Sequence, residues 1–110
     1  MPDVTSPPSQ ARFQAALDTA FEIRPLDGGV GAIAARLAQV RVMHAPEGCE
    51  QFSAIFVGPA APVHPQGTYR FAHAELGELD LFMVPLGPGR TGMQYEVCIT
   101  REGPAPEPAP

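Results

Sequence analysis

The stretch that decides the fold is Gln66 to Leu86, QGTYRFAHAELGELDLFMVPL. From Thr68 to His73 the residues alternate, with Tyr69, Phe71 and His73 on one face and Thr68, Arg70 and Ala72 on the other. Period-two alternation of aromatic and polar side chains is the pattern of a strand half-buried in a sheet. Ala74-Glu75-Leu76-Gly77 supplies a reversal, and Gly77 takes the positive φ that a short hairpin loop requires without a Cβ clash. His73, ending the first strand, is expected to cap this turn or to meet solvent. The return strand, Leu79 to Leu86, alternates at first and then becomes continuously apolar through Leu81, Phe82, Met83 and Val84. Such a run predicts a strand covered on both faces, or one whose outer face meets another element or another chain. Pro85 has no backbone donor and is expected to end that strand or to lie on an edge.

Working outward, the 110 residues make one domain, long enough to bury roughly two-thirds of the surface its unfolded chain exposes. The formal net charge is −5, and the seven cations, all arginine, are scattered among twelve acids. Nucleic-acid binders cluster positive charge to neutralise phosphates, so binding of DNA or RNA is not expected. The same balance argues against a peripheral role on anionic membranes, and no apolar run approaches the roughly 18 residues of a transmembrane helix. The amino-terminal MPDVTSPPSQ has neither a basic nor an apolar signal region, which makes a cytoplasmic location the expectation. Seven of the 14 prolines fall in the two ends. Residues 1–8 are read as a disordered leader, 9–102 as a single β domain, and 103–110, ending GPAPEPAP, as a disordered, polyproline-prone tail.

In chain order, Ser9 is a plausible N-cap for a short helix over Gln10 to Asp18, with Phe13 and Leu17 as its apolar stripe. Phe21 to Arg24 alternates as a short strand with Phe21 and Ile23 inward, and Asp27-Gly28 centres the following turn. Val30 to His44 is ambiguous. Ile33, Leu37 and Val40 have helical spacing, whereas Val40-Arg41-Val42-Met43 reads as strand; a strict period of two places Ile33, Ala35, Leu37, Gln39, Arg41 and Met43 on one face. Phe52 to Val57 is expected to be a central strand. Met93 to Arg101 is the last strand, with Met93, Tyr95, Val97 and Ile99 on one face. The fold class that follows is all-β with one short N-terminal helix: a small antiparallel β-sandwich or barrel of about six strands.

FSAIFVGP (Phe52 to Pro59), QGTY (Gln66 to Tyr69), LGELDLFMVPLG (Leu76 to Gly87) and YEVCIT (Tyr95 to Thr100) together resemble the motifs of a small bacterial domain family of unknown function. Its members share the order FSxxFxGP, QGTY, LGxxxLFxVPxG, YE, and some are encoded beside proteins of phage-tail-collar type. The resemblance spans about Phe13 to Arg101. It implies a strand for Val30 to Met43 and an accessory role near tail-like or fibre-like particles. It brings no catalytic residues. Thr100 stands where the family commonly has Asn.

Candidate chemistry is sparse. Cys49 and Cys98 are the only cysteines; they are read as structural thiols, with a disulfide or a reactive nucleophile as lesser readings. His44, His64, His73 and Cys49 lack the close spacing of a zinc site, so no metal and no cofactor are expected. Glu22, Asp80 and Glu96 alternate with apolar positions, as solvated charges on a sheet do, rather than converging as an acid–base pair. There is no GxSxG or P-loop, and the glycines at 28, 29 and 31 lack the strand–turn–helix setting of a dinucleotide fingerprint.

The excess of apolar residues over what so small a sheet can cover points instead to association. The expectation is a non-enzymatic structural or interaction module with a protein partner or a second copy of itself. The candidate contact residues are Pro59, His64, Gln66, Tyr69 and Arg70 as exposed groups of the loop and hairpin, with Phe82 as an interface anchor. A core role for Tyr69 and Phe82 is the competing reading. The alternative function is a small-molecule-binding barrel lined by Phe56, Tyr69, Phe71 and Met83.

Overall fold

The computed structural model describes residues 8–26 and 31–102. The leader 1–7, the turn centre at 27–30 and the tail 103–110 lie outside the described residues. One helix and six strands follow in order: α1 (Gln10–Ala15), β1 (Ala20–Pro25), β2 (Ile33–Met43), β3 (Cys49–Gly58), β4 (Gly67–His73), β5 (Gly77–Pro88) and β6 (Met93–Glu102). The strands are neighbours in the order β1-β2-β3-β6-β5-β4, every pair antiparallel, and β4 returns onto β1 to close a barrel. Of the two expected architectures, the barrel is the one formed.

Period-two alternation fills the interior. Phe21 and Ile23 of β1, Phe52, Ala54 and Phe56 of β3, Tyr69 and Phe71 of β4, and Met93, Tyr95, Val97 and Ile99 of β6 are all buried in one cluster. Phe56 has its ring centroid 5.0 Å from that of Phe21, edge-on, and 5.1 Å from that of Phe71, tilted, as aromatic quadrupoles prefer. Each such ring contributes about 1.5–3 kcal/mol through removal from water. Phe13 of α1 stacks 5.4 Å from Phe52, so the helix is packed onto the sheet as its stripe predicts.

One local expectation is corrected, and two open readings are decided. The helix ends at Ala15, not at Asp18. Asp18 takes a left-handed φ of 67° and gives its N–H to the carbonyl of Leu37, so the chain has left the helix to start β1. The ambiguous segment is β2, a strand, as the resemblance implies, but not of strict period two. A β-bulge between Leu37 and Gln39 inserts one residue, so Ala35, Leu37 and then Val40 face the core while Gln39, Arg41 and Met43 face outward. A bulged strand thereby imitates the three-and-four spacing of a helix. Of the two readings of the apolar run in β5, cover on both faces within this chain is not what forms: Leu81 and Met83 are buried, but Phe82 between them is 52% exposed.

Pro85 does not end β5. It lies within the strand, opposite Tyr95, at a register shift between Pro85 and Gly87, and beyond the Gly67–Met83 rung where β4 stops. A bulge next to an unpartnered flank tolerates the missing donor. The β4–β5 turn is built as expected: Nδ1 of His73 accepts the N–H groups of Glu75 (3.0 Å) and Leu76 (3.2 Å), and Gly77 has a φ of 79°. Because Nδ1 is an acceptor, the ring proton is on Nε2, which donates to Thr19 Oγ1 at 2.8 Å; that hydroxyl donates in turn to Ala16 O at 2.6 Å. This chain of bonds ties the turn to the end of α1.

Candidate functional site

The outer face of β5 carries Phe82, Val84 and Leu86. Phe82 and Leu86 are each about half exposed, at 52% and 51%. Opposite Val84 stands Glu96, and opposite Glu96 on its other side stands Ile55. Ile55 alternates out of the core yet is buried, and Ser53 beside it donates its hydroxyl to Glu96 Oε2 at 2.7 Å. The result is an apolar outer strip on β5 beside a carboxylate held in place by Ser53.

The expected contact residues divide. Pro59 and Gln66 are exposed, and Phe82 is exposed on the strip. His64 and Tyr69 are not surface groups. His64 is 1% exposed, its backbone N–H donating to Tyr95 Oη at 3.0 Å and its Nε2 lying 3.4 Å from Gly31 O. Tyr69 is buried and donates to Pro65 O at 2.6 Å. Two tyrosine hydroxyls rising from the barrel thus hold the 59–66 loop down over it, and that loop, PAAPVHPQ, carries its own histidine inside. Arg70 is half-buried and committed to Asp80 through two bonds of 2.9 and 3.1 Å, the fork geometry of guanidinium on carboxylate. The bond to Arg70 holds the Asp80 carboxyl below its ordinary range. Glu78 lies 4.0 Å from Arg70 and 3.8 Å from Arg24, completing an exposed charge ladder across β1, β4 and β5. Of the six, Phe82 is the one on the outer face of β5, while Pro59 is exposed in the loop that also exposes Val63. Sequence reading missed Phe82's companions Val84 and Leu86, whose signal was the run into Val84-Pro85-Leu86 itself.

The four residues of the ligand-barrel reading, Phe56, Tyr69, Phe71 and Met83, are buried in the core cluster. A depression of about 360 Å³ lies instead on the outside of the barrel, floored by alanines of β1, β2 and β4 and bordered by Glu22 and His73. Both nitrogens of His73 are already engaged, so the depression does not gather convergent free polar groups.

Both cysteines are free and exposed. Partial burial pushes the Cys98 thiol up, and the neighbouring Glu96 carboxylate pushes it further, the direction that disfavours the nucleophilic thiolate. Among the described residues no cysteine is hydrogen-bonded to a histidine, and no three His, Cys, Asp or Glu residues are grouped as metal ligands. Nor is any helix among them long and apolar enough to cross a membrane.

A family described as a domain of unknown function (DUF6916) matches residues 8–99. The chain belongs to this family. The match begins one residue before the N-cap of α1 and ends at Ile99 of β6, so it takes in the helix, β1 to β5 and β6 as far as Ile99. No curated protein and no solved structure matches the chain.

Proposed function

We propose that this domain is a non-enzymatic interaction module that docks a protein partner on the outer face of β5. The observation that carries the reading is Phe82, a large aromatic held out of a core that takes both its neighbours, with Val84 and Leu86 extending the apolar strip along the strand. Aromatic anchors beside satisfied polar groups are typical of the centre of a protein interface. The phage-tail-collar neighbourhood implied by the motif resemblance makes a tail-like or fibre-like particle the proposed setting, with this domain an accessory of its assembly.

The test is sedimentation of such particles from cells that produce them together with the domain. The wild-type chain is expected in the particle fraction. A Phe82→Ser, Leu86→Ser double variant with an unchanged circular-dichroism spectrum is expected to stay in the free fraction. A double variant that still sediments with the particles removes the β5 face from consideration.

A further inference from the structure

Three strands run on past the point where the barrel is closed. β2 is laddered to β1 only through Ile33–Arg36, with Leu37 exchanging main-chain bonds with Asp18 and Thr19, yet it continues to Met43. β6 is laddered to β5 only through Met93–Glu96, yet it continues to Glu102. Between them β3 pairs with both, as far as Met43–Gln51 on one side and Cys49–Glu102 on the other. The extension is a three-stranded arm. Among the described residues, neither outer strand of the arm has a strand on its far side. Unpaired ladder groups on an exposed strand are a template for another strand, and closed barrels exist in part to remove them.

The two edges differ in charge. The β2 edge, residues 38–43, holds Arg41 and no acid, and Arg41 is exposed and in no ion pair among the described residues. Next to it Val42, at 70%, is the most exposed large apolar residue described. The β6 edge, residues 97–102, ends on the exposed carboxylate of Glu102, while its one cation, Arg101, is engaged by Glu50 at 3.1 Å. Two β2 edges paired about Arg41 would set guanidinium against guanidinium, and two β6 edges would set acid near acid. A β2 edge laid on the β6 edge of another copy brings opposite charges together.

We infer that copies of this chain join head to tail, the β2 edge of one adding to the β6 edge of the next. Such a contact is heterologous: it closes into a ring or continues as a filament according to the rotation between copies. It uses a different surface from the β5 face and stands independently of the partner proposed there.

Light scattering and sedimentation across a dilution series test it, using Arg41→Glu and Glu102→Arg. Wild type is expected to assemble as concentration rises and to dissociate as salt screens the edges. Each reversal alone leaves two like-charged edges and is expected to weaken assembly about tenfold or more. An equimolar mixture of the two variants restores opposite charges at both contacts and is expected to recover assembly. A merely structural role for either residue would not produce that rescue. A wild type that is monomeric at every concentration overturns the proposal. So does a mixture that remains monomeric, and so does Phe82→Ser abolishing assembly that Arg41→Glu leaves intact.

Discussion

The backbone N–H of His64 donates to the phenolic oxygen of Tyr95 at 3.0 Å, with the Tyr95 ring wholly buried. Loop and barrel are 31 residues apart at this bond, and it supplies the partner for a main-chain donor that water does not reach. Tyr95→Phe keeps the ring and removes the acceptor. An unsatisfied buried donor costs about 1–3 kcal/mol, so urea unfolding should show that loss with an unchanged m-value. Tyr69→Phe, whose partner Pro65 lies in an exposed stretch where its carbonyl can turn to water, should cost less, about 1 kcal/mol.

Phe82 and Phe71 make a paired test of which aromatics the fold needs. Phe71 is fully buried and touches Phe56, whereas Phe82 faces out. Phe71→Ala is expected to cost about 3–5 kcal/mol. Phe82→Ser should stay within about 0.5 kcal/mol of wild type, as surface substitutions do. Thermal denaturation of the two side by side checks it; a large loss at Phe82 would mean that the residue is packed in solution and not available as an anchor.

Asp80 gives a pH dependence with a definite sign. Its carboxyl is held below the ordinary range by the Arg70 bond. A depressed folded-state value adds stability at pH above the unfolded carboxylate value, about 3.9, and that contribution is lost as pH falls through the lower folded value. Asp80→Asn should therefore narrow its deficit against wild type as pH drops from about 6 to below 3. Because the pair is exposed, the difference should shrink in high salt. Denaturation curves at low and high ionic strength across that range measure both.

Gly92 is expected to resist any side chain. A Cβ there would run into the backbone carbonyl of Gly58, which belongs to β3 and cannot move without disturbing the β3–β6 ladder. Gly92→Ala should cost about 1–3 kcal/mol through overpacking, read as a lowered urea midpoint. Gly31→Ala is the control, since a Cβ at that position meets nothing within 4 Å.

Much of the barrel is legible locally. The alternations Phe21-Ile23, Tyr69-Phe71 and Met93 to Ile99 each assign an inner face without reference to any other segment, because a strand's two faces are set by its own backbone. The turn at Ala74 to Gly77 is legible for the same reason: His73 and Gly77 satisfy it with their own atoms. Five of the six strands and the short helix follow from such signals.

What tertiary structure alone decided depends on residues distant in the chain. The bulge after Leu37 is defined only against β3, so the residues of β2 by themselves look as helical as they look extended. Closure, which separates a barrel from a sandwich, lies in the pairing of β1 with β4, almost fifty residues apart and unmarked in either segment. His64 left its expected place on the surface for the interior, whereas Phe82, read either as an exposed anchor or as core, lies outside. A buried backbone donor needs an acceptor wherever one can reach, and Tyr95 offered it. Phe82 could only follow the period of a strand whose other face was already committed to Leu81 and Met83.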